Sequence, residues 1–146
     1  MEPALLGLVL DSSAVIAAER EQQSVFSFIG ASLRAHGPVE LSLSPVTVAE
    51  LVHGIYRAKT PEGSRRRRAY IEELVDLIPV HSVTKQSAWL AGQIEGEEAA
   101  RGNVIPFNDL LIAVAALEQG YAVLTANVRH FRLIPNLVVV ATGSGR

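Results

Sequence analysis

The residues with most to offer chemically are three carboxylates from remote parts of the chain, Asp11, Glu50 and Asp109, each embedded in otherwise apolar sequence. An acidic side chain among core-facing positions costs free energy unless it is paired or bound. Gathered in one crevice, the three would repel one another without a counter-charge. A hard divalent cation resolves this. Mg²⁺ and Mn²⁺ favour oxygen ligands, and Mg²⁺ takes one or two carboxylates while keeping several waters and accepting substrate phosphate oxygens. The reaction such a site suits is phosphodiester hydrolysis, in which a cation activates water and the same or a second cation about 4 Å away stabilises the leaving oxygen.

Other chemistries are less well served. With no cysteine, disulfides, thiolate catalysis and Cys-ligated zinc are excluded. Ser12 and Ser13 have no evident histidine partner, no glycine-rich phosphate loop is present, and the four histidines, His36, His53, His81 and His130, lack metal-ligand spacing. Two of the carboxylates also have a plain structural reading. Asp109 or Asn108 suits a helix N-cap, and Glu50 suits the edge of an apolar stripe, where it would reach solvent or an arginine.

The elements around these residues indicate how they could meet. Leu6 to Leu10 is an apolar run suited to a central strand that hands over at Asp11 to a helix beginning near Ser12 or Ser13. Two helices follow, over 14–18 and 24–34, the second closed by Gly37-Pro38. Glu40 to Leu43 reads as a strand. Ser44-Pro45 opens a helix whose apolar stripe (Val48, Leu51, Val52, Ile55) contains Glu50. A turn at 57–64 leads into a helix with the basic run Arg65 to Arg68, which suits either RNA phosphates or pairing with Glu72, Glu73 and Asp76. Residues 77–83 read as a strand, and Thr84 caps a helix running to Ala100 in which Trp89 is expected in the core. From Leu110 to Leu117 every residue is apolar, a pattern that demands a buried helix, bounded by Pro106 and Gly120 with Asp109 at its entrance. Tyr121 to Thr125 and Leu137 to Ala141 complete the strands.

This alternation predicts an α/β domain with a largely parallel sheet and helices on both faces, functional at the carboxyl ends of its strands. Asp11 and Asn127 both follow strands at that edge. At 146 residues, 49% hydrophobic and 19% charged, the chain suits one domain, over 1–141, with a disordered tail at 142–146. Thirteen Lys and Arg against fifteen Asp and Glu give a net charge of −2, so any nucleic-acid contact must be local. The N-terminal run has no basic flank and reads as a strand, not a signal peptide, and no stretch suggests membrane insertion. The lack of cysteine is compatible with the cytoplasm, the expected compartment.

Four segments carry a family resemblance: 8–17 (Leu-Val-Leu-Asp-Ser-Ser-Ala-Val-Ile-Ala), 44–51 (Ser-Pro-Val-Thr-Val-Ala-Glu-Leu), 108–116 (Asn-Asp-Leu-Leu-Ile-Ala-Val-Ala-Ala) and 124–131 (Leu-Thr-Ala-Asn-Val-Arg-His-Phe). They occur in the order and spacing of a PIN domain, and the chain most resembles the VapC-type toxins of prokaryotic toxin-antitoxin pairs. The resemblance implies a Rossmann-like three-layer fold with a central, mostly parallel sheet, and an Mg²⁺- or Mn²⁺-dependent endoribonuclease acting on RNA. It also implies homodimerisation and neutralisation by a VapB-type antitoxin. Asp11, Glu50 and Asp109 match the family's first three acidic positions, as metal ligands that position the attacking water. The chain departs at the fourth, where members commonly have an Asp in place of Asn127 or an acid in place of His130. Asn127 is neutral but can offer a carbonyl oxygen or orient a bound water, and it is counted in the catalytic set. Thr125 and Ser13 suit phosphate contacts or plain turn roles. The apolar early helices, with Val25, Phe26, Phe28 and Ile29, suit a partner interface or the core. Two alternatives stand beside the toxin: a PIN-like RNA-processing nuclease without an antitoxin, and a non-catalytic PIN-like binding module.

Overall fold

The runs 7–10 and 122–125 are short, almost wholly apolar and fully buried, as central strands covered on both faces must be. A computed structural model describes residues 5–142, so the expected tail, apart from Thr142, lies outside the described residues. The elements are β1 (Gly7–Leu10), α1 (Ser12–Arg20), α2 (Val25–His36), β2 (Glu40–Leu43), α3 (Pro45–Tyr56), α4 (Pro61–Leu77), α5 (Lys85–Ala100), α6 (Phe107–Gln119), β3 (Ala122–Thr125), α7 (Val128–Phe131) and β4 (Val139–Ala141). The four strands form one all-parallel sheet in the order β2-β1-β3-β4. Among the described residues no helix is long and apolar enough to cross a membrane.

Alternation along the strands splits the core in two. Leu8 and Leu10 of β1, with Ala122 and Leu124 of β3, face a cluster that includes Val15, Phe28, Leu51 and Leu74 from α1 to α4. Val9 and Val123 face the other way, onto α5, α6 and Phe131 of α7. Helix α6 lies between the sheet and α5, and Leu110 and Ile112 to Ala116 are all buried. Its continuous apolar run is thereby explained. Gly120, in the left-handed conformation, ends it.

Helix starts follow local chemistry. The hydroxyls of Ser24, Ser44 and Thr60 accept from backbone N–H groups of α2, α3 and α4, and Thr84 and Ser87 cap α5 reciprocally.

Two expectations are corrected. Residues 77–83 do not form a strand: α4 runs through Leu77, and Val80 makes only a single parallel bridge to Leu43. Leu43 donates to Pro79 O and accepts from His81 N around that bridge, while proline, with no N–H, cannot extend the ladder. Trp89 is not in the core but 75% exposed. The buried face of α5 is Ser87, Ala91, Ile94 and Glu98, whose helical spacing places Trp89 on the outer side. Buried Glu98 accepts from Asn103 Nδ2 and pairs with Arg101, tying off the end of that helix.

Candidate active site

In an open parallel sheet, ligands bind beyond the carboxyl ends of the strands where the order reverses. Here that point lies between β1 and β3, whose connections leave in opposite directions. Asp11 sits on it. Its N–H donates to Leu124 O at 2.9 Å, and its side chain, 5% exposed, takes no part in capping α1. Oδ2 instead accepts from Ser13 Oγ at 2.6 Å and from Thr125 Oγ1 at 2.8 Å, hydroxyls that follow β1 and end β3. Among the described residues Oδ1 makes no hydrogen bond. Ser13 Oγ also accepts from Ala126 N at 3.0 Å, fastening the turn after β3 to the start of α1.

Glu50 arrives from the next helix of that layer. Thr47 Oγ1 donates to Leu10 O at 3.2 Å, pinning the first turn of α3 to the end of β1, and Glu50 follows three residues on along the same side. Ser12 Oγ donates to Glu50 Oε1 at 3.0 Å. Asp109 is the third residue of α6, whose N-cap position is Pro106, so it is not a cap. Its Oδ2 lies 2.8 Å from Nδ1 of His130 on α7. Asn127 precedes α7; its N–H donates to Thr125 Oγ1 at 2.8 Å, and its side chain turns to His130, with Nδ2 3.3 Å from Nδ1.

The carboxylates sense one another. The pKa of Glu50 is raised by burial and then by the charges of Asp11 and Asp109, against the hydrogen bonds of Ser12 and Asn108. That of Asp109 is raised by burial and by the charge of Asp11, against the bond to His130. Both shifts make the ionised set costly without a cation. The donors, carboxylate oxygens backed by hydroxyls, suit a hard divalent ion. They are not drawn into a closed cage: among the described residues no group of three His, Cys, Asp or Glu side chains is gathered tightly enough to hold a metal ion.

The basic run does not pair as expected, since no arginine of 65–68 forms an ion pair with Glu72, Glu73 or Asp76. Arg67 reaches across α3 to Gly54 O at 2.6 Å and lies 3.6 Å from Glu19. Arg68 Cζ sits 5.9 Å above the Tyr56 ring. Arg67 also lines a groove of about 270 Å³ between α1, α3 and α4, together with Glu50, Arg20 and Arg57. Sequence reasoning missed the contact of His130 with Asp109 and that of Ser12 with Glu50. The signals were present: His130 lies three residues after Asn127, and Ser12 directly follows Asp11.

A parallel α/β sheet flanked by helices, with acidic side chains from three elements near its switch point, narrows the class of domain. The chain belongs to the PIN domain family, whose model matches residues 8–136. It is 28% identical over 141 residues to a ribonuclease VapC1 of Rickettsia felis, covering 95% of this chain and 98% of that one. It is 32% identical over 97 residues to a tRNA(fMet)-specific endonuclease VapC of Salmonella typhimurium, covering 66% of this chain and 71% of the relative. The fold matches a DNA-bound VapBC structure from Salmonella typhimurium with a TM-score of 0.77 and 26% identity, over 94% of this chain and 98% of that one.

Proposed function

We propose that this chain is a VapC-type endoribonuclease toxin, dependent on Mg²⁺ or Mn²⁺, that hydrolyses RNA phosphodiester bonds and is inhibited by a VapB-type antitoxin. The observation that carries this reading is the convergence of Asp11, Glu50 and Asp109, far apart in sequence, on the sheet's switch point. The relatives' names, ribonuclease VapC1 and tRNA(fMet)-specific endonuclease VapC, support RNA as the substrate.

In this reading Asp11, Glu50 and Asp109 would hold the cation, which would supply positive charge to activate water and to neutralise the phosphate. Ser13 and Thr125 hold Asp11 through Oδ2, and Ser12 holds Glu50 through Oε1, so both carboxylates are oriented by hydroxyls at the site. Asn127 orients water or phosphate beside them through its amide. Water attacks phosphorus, one ester bond breaks, and the departing oxygen takes up a proton. Arg20, Arg57 and Arg67, around the groove that reaches Glu50, meet the phosphates of the flanking strand. Exposed apolar side chains such as Phe26 of α2 and Tyr56 of α3 support contact with an antitoxin or a second copy in a cytoplasmic homodimer.

The test is cleavage of a mixed cellular RNA pool by purified, antitoxin-free protein with Mg²⁺ or Mn²⁺, beside EDTA and an Asp109→Asn control. Discrete products requiring both metal and Asp109 are expected. Folded protein that binds neither metal and cuts nothing would mark a non-catalytic module.

A further inference from the structure

Asp109 and Asp11 are held in the same way by different partners. Each has Oδ2 engaged by a donor, Asp11 by two hydroxyls and Asp109 by the imidazole of His130, and Oδ1 of each is without a hydrogen bond among the described residues. An ionised carboxylate can only accept, so the 2.8 Å separation places a proton on Nδ1 of His130. A protonated Nδ1 cannot accept from the Asn127 amide 3.3 Å away, which requires that amide to present its oxygen to the ring. The imidazole side chain is 37% exposed, whereas its neighbour Phe131 is fully buried, so His130 can be altered without opening the core.

We infer that His130 is a positioning residue: by donating from Nδ1 to Oδ2 it fixes the Asp109 carboxylate with Oδ1 left for the divalent cation. The inference rests on the metal-dependent reading above. Groups that hydrogen-bond a metal ligand commonly alter metal affinity ten- to a hundred-fold when removed, and His130 has that relation to Asp109.

Two measurements on the whole chain test this. In the metal-free protein at mildly alkaline pH, long-range ¹H–¹⁵N NMR should report the Nδ1–H tautomer for His130, and Asp109→Ala should shift it towards Nε2–H. An Nε2–H tautomer in the wild type overturns the inference. Mn²⁺ titration followed by electron paramagnetic resonance should show about tenfold weaker binding in His130→Ala. His130→Asn, whose amide nitrogen can occupy the Nδ1 position, should recover most of that loss. A folded His130→Ala protein that binds Mn²⁺ like the wild type overturns the inference, as does His130→Asn binding no better than His130→Ala. Wild-type protein that binds no Mn²⁺ overturns the metal reading and this inference together. Wild-type protein that binds Mn²⁺ through the His130-assisted site yet cleaves no RNA upholds the inference and overturns only the nuclease reading.

Discussion

Thr125 Oγ1 and Asp11 Oδ2 meet at 2.8 Å across 114 positions of sequence, joining the ends of the two central strands at the site. The threonine is fully buried and also accepts from the Asn127 amide. Thr125→Val keeps the shape but leaves a carboxylate oxygen and a backbone N–H each short of a bond. It should cost about 2 kcal/mol in chemical denaturation and reduce RNA cleavage, and Thr125→Ser should restore most of both. An unchanged denaturation midpoint for Thr125→Val would show that this joint contributes nothing.

Asp109→Asn removes one charge from a set in which burial first, and the neighbouring carboxylates after it, raise the pKa values of Glu50 and Asp109. Metal-free stability should therefore stay level or rise. The stabilisation by Mn²⁺, about 2.7 kcal/mol for the wild type at a hundredfold excess over Kd, should disappear. Thermal unfolding with and without Mn²⁺ measures both. A destabilised variant that still responds fully to Mn²⁺ would make Asp109 a structural residue.

Among the described residues the buried Tyr70 hydroxyl has no hydrogen-bond partner, and burial, with the charges of Glu19 and Glu73, pushes its pKa from 10.0 to about 12. A folded-state value above the unfolded one means that the contribution to stability is complete below pH 10. It is lost as the pH rises towards 12, because the unfolded chain ionises first. Tyr70→Phe should abolish this alkaline loss. It should also raise stability at neutral pH by about 1 kcal/mol, since it removes an unsatisfied group. Denaturation curves across the alkaline range decide the matter.

Gly7 is required by its neighbour. A Cβ placed there would lie 2.7 Å from atoms of the Tyr121 ring. Gly7→Ala should destabilise by about 2 kcal/mol through overpacking. Tyr121→Leu in the same chain should offset much of that loss, giving a non-additive double-mutant cycle. Additive losses would locate the strain elsewhere.

Much of this architecture was legible because local and global demands agree. The strand Glu40 to Leu43 and the cap at Thr84 stand where turn chemistry and hydrophobic period place them. The run from Leu110 to Leu117 announced its own burial, and Asp11 was marked as a site residue by ending a strand that is buried on both faces. The failures lie where one residue type serves two patterns. Val80 and its neighbours have strand composition, but Pro79 limits pairing to a single bridge. Trp89 is large and apolar, yet α5 packs through Ser87 and Ala91, and periodicity outranks size. The pairing of His130 with Asp109 depends on how α7 docks beside α6, so the spacing to Asn127 could mark His130 as near the site but could not name its partner.

The sheet order sets a temporal constraint as well as a spatial one. Asp11 follows β1, but β3 and α7, which supply Thr125, Asn127 and His130, are made more than a hundred residues after it. Parallel pairing of β1 with β3 closes that long loop, and until it closes Asp11 lacks Thr125 and Asp109 lacks His130. A chain made only as far as α6 thus holds the three carboxylates without the hydroxyl and imidazole that fix two of them, and the candidate site is assembled only once β3 and α7 have followed.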